Sequence, residues 1–204
     1  MADLDASLGE LFERRHPGLA AAVADCPPMP LVGPANSTKP RFAQCDRIRV
    51  AIDAIGSGDG SIDAPRGADR HGDANAELQS GLWLLVGDLD RSHTISQSLG
   101  STEGSFLHGI MHRREPDYPN AKYWFARVGH HPAAQIASAE IRTDATRTKA
   151  TGTADGELQR CDAITFVDHV KAACRRDADP VLIQQCQAYQ WVQWCELMRV
   201  ILLK

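Results

Sequence analysis

Apolar residues recur at three- and four-residue intervals in several segments of the chain, and no segment alternates apolar and polar residues cleanly. The first spacing is typical of amphipathic helices and the second of strands. The clearest apolar stripe predicts one long helix that runs to about Ser98. Its members are Leu78, Leu82, Leu85, Val86 and Leu89. The pattern therefore predicts an all-α protein.

Shorter helices are predicted on both sides of this stripe. Residues 8–15 and 42–55 keep helical spacing before it, and residues 105–115 and 164–174 keep it afterwards. Between the first two, CPPMPLVGPANSTKP is interrupted by prolines and predicts an irregular arm on the surface.

Two further helices carry local capping signals. Asp117 predicts the start of one helix, and Gly129 predicts its end in a left-handed turn. Asp179 followed by Pro180 predicts the start of the last helix, which runs toward Leu203.

These elements fit one helical domain over residues 1–204, an irregular bundle with long loops. Its predicted parts are an N-terminal helix with a proline-rich arm (1–41), two flexible loops (56–73 and 143–159), a central segment (74–132) and C-terminal helices (160–204).

Composition excludes several classes of protein. Apolar residues make up 43% and charged residues 24%, with a net charge of -4 and a pI near 6.0. No global basic field attracts nucleic acid, and no apolar run approaches the length of a membrane helix. The first residues lack an apolar signal core, so a cytoplasmic protein is expected. Six cysteines without a C-x-x-C pair are expected to be reduced, mostly buried thiols.

Polar residues interrupt the end of the apolar stripe. On a continuous helix His93 would lie at the centre of the leucine face, with Asp90 and Gln97 along its edge. A buried imidazole needs a hydrogen-bond partner or a metal ion, because burial without one costs a few kcal/mol.

The next helix carries two histidines at metal-binding spacing. His108, His112 and Glu115 share one face, and His93 would complete a three-histidine set with an open coordination position. A divalent ion such as zinc is the cofactor that this set predicts, with Glu115 or Asp90 as the catalytic base. The H-E-x-x-H pattern is absent, because Gly109 takes the glutamate position. Neutral histidines hydrogen-bonded in a polar pocket are the alternative.

A second polar group surrounds this set and predicts an anion site. Arg113 and Arg127 offer guanidinium groups to a carboxylate or phosphate, and Asn120 and Tyr123 share the face of Arg127. The expected ligand is a small polar or anionic molecule, bound also by Gln97. The alternative is architectural, with HRREPDYPN fastening a tight corner between helices.

The last helix spaces large apolar residues along one face. That face predicts either core or a surface for a homo-oligomer, and its residues are Trp191, Trp194, Cys195 and Met198. No P-loop, G-x-G-x-x-G or G-x-S-x-G motif is present in the sequence.

GDLDRSHTISQ followed by GSFLHGIMHRREPDYPNAKYWFARVGHHP resembles an uncharacterised helical protein family of bacteria and fungi with the signature SHTISQ … HGIMHRREPDYxNAKYWFRRVGxHP. The likeness covers residues 82–132 closely and QAYQWVQWCELM more loosely. It implies no established activity. Ala126 stands where the signature has arginine, which weakens an anion site at Arg127. The three histidines are also similar in type to the ligand set of DinB-like metal-binding bundles, although those separate their ligands by more chain.

Three functions follow as expectations. The first is a His/Asp/Glu/Arg pocket for a small polar or anionic ligand. The second is a metal-dependent hydrolase using the three histidines. The third is a structural or interaction module whose polar residues fasten helix corners. All three depend on whether His93, His108 and His112 face one another.

Overall fold

The described part of the chain is helical throughout. The computed structural model describes residues 5–26, 29–33, 45–57, 70–134 and 161–204. Its helices are α1 (Ala6–Arg15), α2 (Leu19–Ala24), α3 (Asp46–Ser57), α4 (Arg70–Val86), α5 (Leu89–Ser96), α6 (Thr102–Arg114), α7 (Tyr118–Val128), α8 (Ala163–Ala173) and α9 (Pro180–Leu202). No strand occurs within these ranges. The all-α prediction is confirmed.

Local hydrogen-bonding chemistry sets most of the helix boundaries. The Asp117 carboxylate accepts from the Asn120 amide at 3.4 Å at the start of α7, and Gly129 ends that helix with φ 63°. Asp179 accepts from the Val181 amide at 2.9 Å at the start of α9. These side chains satisfy backbone N–H groups that have no partner within the helix. The predicted cap positions are confirmed, although Gly129, with ψ -138°, does not form the predicted left-handed turn.

The predicted long helix is wrong, because it is two helices. α4 ends at Val86, Gly87 has φ 90°, and the Asp88 carboxylate accepts from the Arg91 amide at 3.1 Å to start α5. Ser80 and Ser92 would lie about 18 Å apart along one straight helix. Their hydroxyl oxygens are 3.0 Å apart instead. The chain therefore reverses direction at Gly87, and α5 packs back against α4.

The remaining boundaries differ in smaller ways. α2 was not predicted, and α6 begins at Thr102 rather than 105, because the Ser101 hydroxyl accepts from the Gly104 amide at 3.0 Å. The predicted loop 56–73 is helical at both ends, since α3 includes Ser57 and α4 begins at Arg70. Residues 58–69 and the predicted loop 143–159 lie outside the described residues.

One apolar core joins the two ends of the chain. It includes Leu8 of α1 and Ile201 of α9, and the rings of Phe12 and Trp194 stack at 6.2 Å between centroids. A smaller cluster lies between α8 and α9 and also takes in Leu31 of the proline-rich arm. Shared packing of this kind ties sequence-distant helices together.

The apolar face of α9 is core. Trp191, Trp194 and Met198 are buried within the same chain, and Cys195 is half-buried. The core alternative for this helix is therefore the one observed, and a homo-oligomer stays a prediction. Across the described ranges, no helix is long and apolar enough to cross a membrane.

The helix α6 is central to the fold. Residues 104–114 are all buried, and the helix packs against α4, α5 and α7. The face that carries His108 and His112 is covered along with the rest of the helix. Polar side chains on α6 consequently need partners within the protein or a bound ligand.

Candidate metal centre

Three imidazoles meet where α5 crosses α6. One nitrogen from each of His93, His108 and His112 lies within 4.8 Å of the other two. The ring centroids are 4.8 Å apart for His93 and His108, 5.3 Å for His93 and His112, and 4.7 Å for the two rings of α6. His108 and His112 are buried and His93 is half-buried. The predicted convergence is confirmed.

The fold brings these rings together by two local devices. His108 and His112 are four positions apart on α6, so they project from the same face. His93 reaches them because the chain reverses at Gly87 and lays α5 across that face. A straight helix would have carried His93 away from α6, so the break that contradicts the predicted helix also builds the site.

A close approach between α6 and α7 closes the other side of the cluster. A side-chain carbon added at Gly109 would lie 2.8 Å from Cε1 of Phe125, so only glycine permits this contact. The approach places Trp124 and Asn120 of α7 against the histidine rings. The residue that breaks the H-E-x-x-H pattern is therefore required by packing.

Ser96 connects two of the histidines. Its hydroxyl lies 3.3 Å from the His93 carbonyl oxygen, to which it donates, and 3.2 Å from Nδ1 of His108. A hydroxyl that donates to the carbonyl accepts from His108 through its lone pair. His108 then carries its proton on Nδ1, and its Nε2 lone pair is free for a ligand. Sequence analysis missed this serine.

His112 is surrounded by polar groups of α7 and the helix corner. The Asn120 amide nitrogen lies 3.0 Å from Nε2 and 3.5 Å from Nδ1. Carboxylate oxygens of Glu115 and Asp117 lie 3.4 and 3.8 Å from Nδ1. Carboxylates in this position orient a metal-binding histidine and increase its basicity. Asp117 was predicted only as a helix cap.

Burial keeps the α6 histidines neutral. It lowers the pKa of His108 to about 4, with further contributions from the nearby His112 and His93 rings. It also lowers the pKa of His112, where His93 adds to the effect and Asp117 opposes it. Neutral imidazole is the form that binds metal ions.

Glu115 has the opposite shift. Burial raises its carboxyl pKa; His93 opposes this shift, and the Asp90 and Asp117 carboxylates add to it. Asp90 itself is exposed in the first turn of α5. A carboxyl group with a raised pKa beside a ligand site is suited to proton transfer. The catalytic roles predicted for Glu115 and Asp90 stay predictions.

Trp124 covers the cluster. It has the helical spacing of Ala121, Phe125 and Val128, which are buried, but Trp124 is half-exposed with its ring 4.1 Å from that of His108. The Arg127 guanidinium lies 5.4 Å from the Trp124 ring. Arg127 is therefore within about 10 Å of the His108 ring by these two stacked contacts.

Two other predicted ligand residues lie at the margin of the site. Tyr123 is 56% exposed and contacts the edge of Trp124 at 5.6 Å between centroids. Gln97 is exposed, and its backbone amide donates to the His93 carbonyl at 3.0 Å. Both flank the histidines without a described side-chain contact to them.

Arg113 is not part of the site, which corrects the prediction that it flanks the pocket. Its guanidinium is fully buried on the other side of α6 and donates to the Gln193 and Gln190 side-chain oxygens at 2.9 and 3.4 Å. It lies 4.5 Å from the Phe166 ring. Burial lowers its pKa to about 10. The guanidinium of Arg113 is therefore held between α8 and α9.

The neighbouring Arg114 is also buried and donates to the Leu84 carbonyl oxygen of α4. This contact fits the architectural alternative for that part of the HRREPDYPN corner. Of the guanidinium groups considered for an anion, only that of Arg127 is exposed near the histidines.

The donor set suits a tetrahedral transition-metal ion. Zinc–nitrogen bonds of about 2.0–2.1 Å place ligand nitrogens about 3.3 Å apart in a tetrahedron. The observed separations of up to 4.8 Å would have to contract for one ion to bind all three nitrogens. Three protein ligands would leave a fourth position for water or a substrate atom. A search against protein-family models, curated proteins and solved structures found no match for this chain.

Proposed function

We propose that the protein binds one zinc-like transition-metal ion through His93, His108 and His112 and uses it to hydrolyse a small anionic substrate. The convergence of one nitrogen from each histidine within 4.8 Å carries this proposal. The resemblance to a helical family supplies no activity, so the argument depends on the site alone.

A cation is the partner that the cluster lacks. Neutral imidazoles each carry one nitrogen lone pair, and Ser96 accounts for the protonated nitrogen of His108 rather than its lone pair. The described contacts of the three rings include a hydroxyl, an amide and carboxylates, but no lysine or arginine. A metal ion would satisfy three converging lone pairs at once.

Metal binding would also rearrange one contact. The Asn120 amide nitrogen occupies the hydrogen-bonding position beside Nε2 of His112. Coordination through that atom would displace the amide and leave it free to contact a ligand, which is the role predicted for Asn120.

Hydrolysis is the reaction class that these groups support. A zinc ion held by the three histidines would supply a water whose pKa is near 7. Glu115, whose carboxyl pKa is raised by burial, would serve as the proton-transfer group of the site, first as base and then as acid. The exposed Asp90 helps to keep this carboxyl group basic through its charge.

The preference for an anion comes from Arg127. Its guanidinium lies over the Trp124 ring, and no ion pair of Arg127 occurs within the described ranges. A substrate that reaches from the histidines across Trp124 would place a carboxylate or phosphate at this group.

Metal content is the decisive measurement. Protein purified without a tag and dialysed against chelator should take up one Zn²⁺ or Co²⁺ per chain in a calorimetric titration, and the cobalt form should show tetrahedral absorption. His130 is exposed and outside the cluster, so His130→Ala should bind equally well. Failure of the wild-type protein to bind either ion refutes the proposal.

A second experiment separates catalysis from binding. With the zinc-loaded protein and a p-nitrophenyl ester as probe, Glu115→Gln should lower kcat about 10²–10⁴-fold, as loss of a proton-transfer group does. Metal affinity should fall by no more than about 10–100-fold, because Asp117 also lies beside Nδ1 of His112. If the fully zinc-loaded variant keeps the wild-type kcat, Glu115 only orients His112, and the proposed base is wrong.

The anion preference has its own test. Phosphate or benzoate should perturb the absorption of the cobalt-loaded protein, and Arg127→Gln should weaken that binding several-fold. Arg91→Gln is a matched control, because Arg91 also stacks on a tryptophan, at 4.4 Å from the Trp83 ring. Equal anion binding by both variants would remove Arg127 from the site.

A further inference from the structure

Two buried thiols meet in the N-terminal part of the fold. Sγ of Cys26 and Sγ of Cys45 are 3.2 Å apart, although the residues are 19 positions apart in sequence. Cys26 follows α2 and is 6% exposed, and Cys45 precedes α3 and is 0% exposed. We propose that Cys26 and Cys45 form a reversible disulfide that fastens the proline-rich arm between them.

The distance supports this chemistry. A disulfide brings its two sulfurs to about 2.05 Å, so the bond needs a movement of little more than 1 Å. Both residues lie at helix ends, where a small change in a side-chain torsion supplies that movement. Cys174 is exposed and Cys195 is half-buried, whereas both Cys26 and Cys45 are buried.

The described part of the arm between the two thiols forms hydrogen bonds with α9 and α6. The Gln190 side-chain amide of α9 donates to the carbonyl oxygens of Met29 and Pro30 at 3.2 and 2.9 Å. The Gly33 amide donates to the Arg114 carbonyl oxygen at 2.9 Å, at the C-terminal end of α6. A bond between Cys26 and Cys45 closes the loop that makes these contacts.

The bond forms by exchange with a small disulfide such as oxidised glutathione. The Cys26 thiolate attacks one glutathione sulfur, which gives a mixed disulfide and releases one glutathione thiolate. The Cys45 thiolate then attacks the Cys26 sulfur and releases the second glutathione. The two protons lost by the cysteines end on the two glutathione thiols, and the small disulfide is reduced as the protein pair is oxidised.

Burial makes this reaction slow. It raises the pKa of Cys26, with the neighbouring Cys45 adding to the effect, so little thiolate is present at neutral pH. Attack also requires the buried thiols to become accessible transiently. The pair is therefore suited to a lasting cross-link rather than to rapid turnover.

The test compares full-length protein incubated with oxidised or reduced glutathione. The oxidised sample should lose two hydrogens in intact mass, and a proteolytic peptide should join Cys26 to Cys45. Closing this loop should raise Tm by about 5–10 °C through restriction of the unfolded chain. Returning the sample to dithiothreitol should reverse both changes.

Variants show whether this pair is responsible. Cys26→Ser and Cys45→Ser should abolish the difference in Tm between oxidised and reduced samples, and Cys174→Ser should retain it. The comparison is made within each variant, so a general loss of stability cancels. Should a serine variant fail to fold, peptide mapping of the wild type still decides. A different cross-link, no cross-link, or an unchanged Tm overturns the proposal.

Discussion

His112 and Arg113 are adjacent on α6, and both are buried, but their surroundings differ. Arg113 points toward α8 and α9, where two glutamine oxygens and the Phe166 ring face its positive charge. His112 points toward α5 and α7, and the His93 and His108 rings and the Glu115 and Asp117 carboxylates surround it. The groups around Arg113 complement its positive charge, whereas the groups around His112 carry lone pairs and negative charge.

The difference separates structure from candidate function. A buried cation that the protein itself surrounds with acceptors and aromatic faces contributes to packing. Three imidazoles that face one another form instead a donor set suited to a metal ion. Two residues of the same arginine- and histidine-rich segment therefore support different hypotheses, an architectural one and a metal-binding one.

Removing one histidine ligand should have the largest effect. His93→Ala should weaken zinc binding by more than about 100-fold, beyond the range seen when only an outer partner is lost. His93 is half-buried on α5, so the apoprotein should stay folded. Calorimetric titration measures the affinity, and circular dichroism verifies the fold. If this variant bound zinc with wild-type affinity, His93 would not be a metal ligand.

Changing Arg113 should affect stability and leave metal binding intact. Arg113→Met leaves two buried glutamine oxygens without their donor, so the free energy of unfolding should fall by about 2–4 kcal/mol. Urea denaturation gives this value. Zinc affinity of the folded variant should match the wild type. A large loss of zinc affinity would mean that Arg113 also supports the metal site, and the proposed difference between Arg113 and His112 would be wrong.

The hydrogen bond between Ser96 and His108 can be tested by substitution of the serine. Ser96→Ala should weaken zinc binding about 10–100-fold, because His108 loses the group that fixes its protonated nitrogen. Ser92→Ala is the matched control, since Ser92 is equally buried on α5 but bonds to Ser80. The same loss of affinity in both variants would indicate general loosening of α5.

A third region, the charged contacts of Glu103, can be compared with these two through the pH dependence of stability. At the start of α6, Glu103 has its carboxyl pKa lowered to about 2 by the His131 ring, whose Nε2 lies 3.8 Å from the carboxylate, and by Lys204. The folded state thus holds this proton less tightly than the unfolded chain, where the pKa is near 4.5. Its contribution of about 1–2 kcal/mol, discounted for partial exposure, is present above pH 4.5 and decreases as the pH falls toward 2.

Urea denaturation at several acidic pH values measures this effect. Glu103→Gln should reduce the loss of stability between pH 4.5 and 2 relative to the wild type. Glu10→Gln is the control, because Glu10 forms only an exposed pair with Arg14 at 3.9 Å. If Glu103→Gln loses stability with the same pH dependence as the wild type, Glu103 does not connect α6 to Lys204 in solution.

Helix boundaries followed the sequence wherever the signal was local. Asp117, Gly129 and Asp179 act within about four residues, so their effect can be predicted without the rest of the fold. The break at Gly87 also had a local signal, a glycine followed by the capping residue Asp88. The continuing leucine stripe concealed it, because the apolar spacing persists across the turn.

Side-chain direction was harder to predict. Trp124 has the spacing of a core residue, yet it covers His108 because Gly109 admits α7 so closely. Arg113 was predicted beside His112, but neighbours on a helix point about 100° apart. The helices that pack on each face decided which polar group reached the histidines.

The sequence by itself determined an all-α chain, its capped helix ends and a pair of histidines on one face of α6. Tertiary structure decided that His93 joins that pair, that Arg113 leaves it, and that Ser96 and Trp124 complete its surroundings. The physical reason is how far apart in sequence the interacting residues are. Caps and helical spacing depend on interactions between near neighbours in the sequence. The meeting of three imidazoles depends on a chain reversal and on contacts between separate helices.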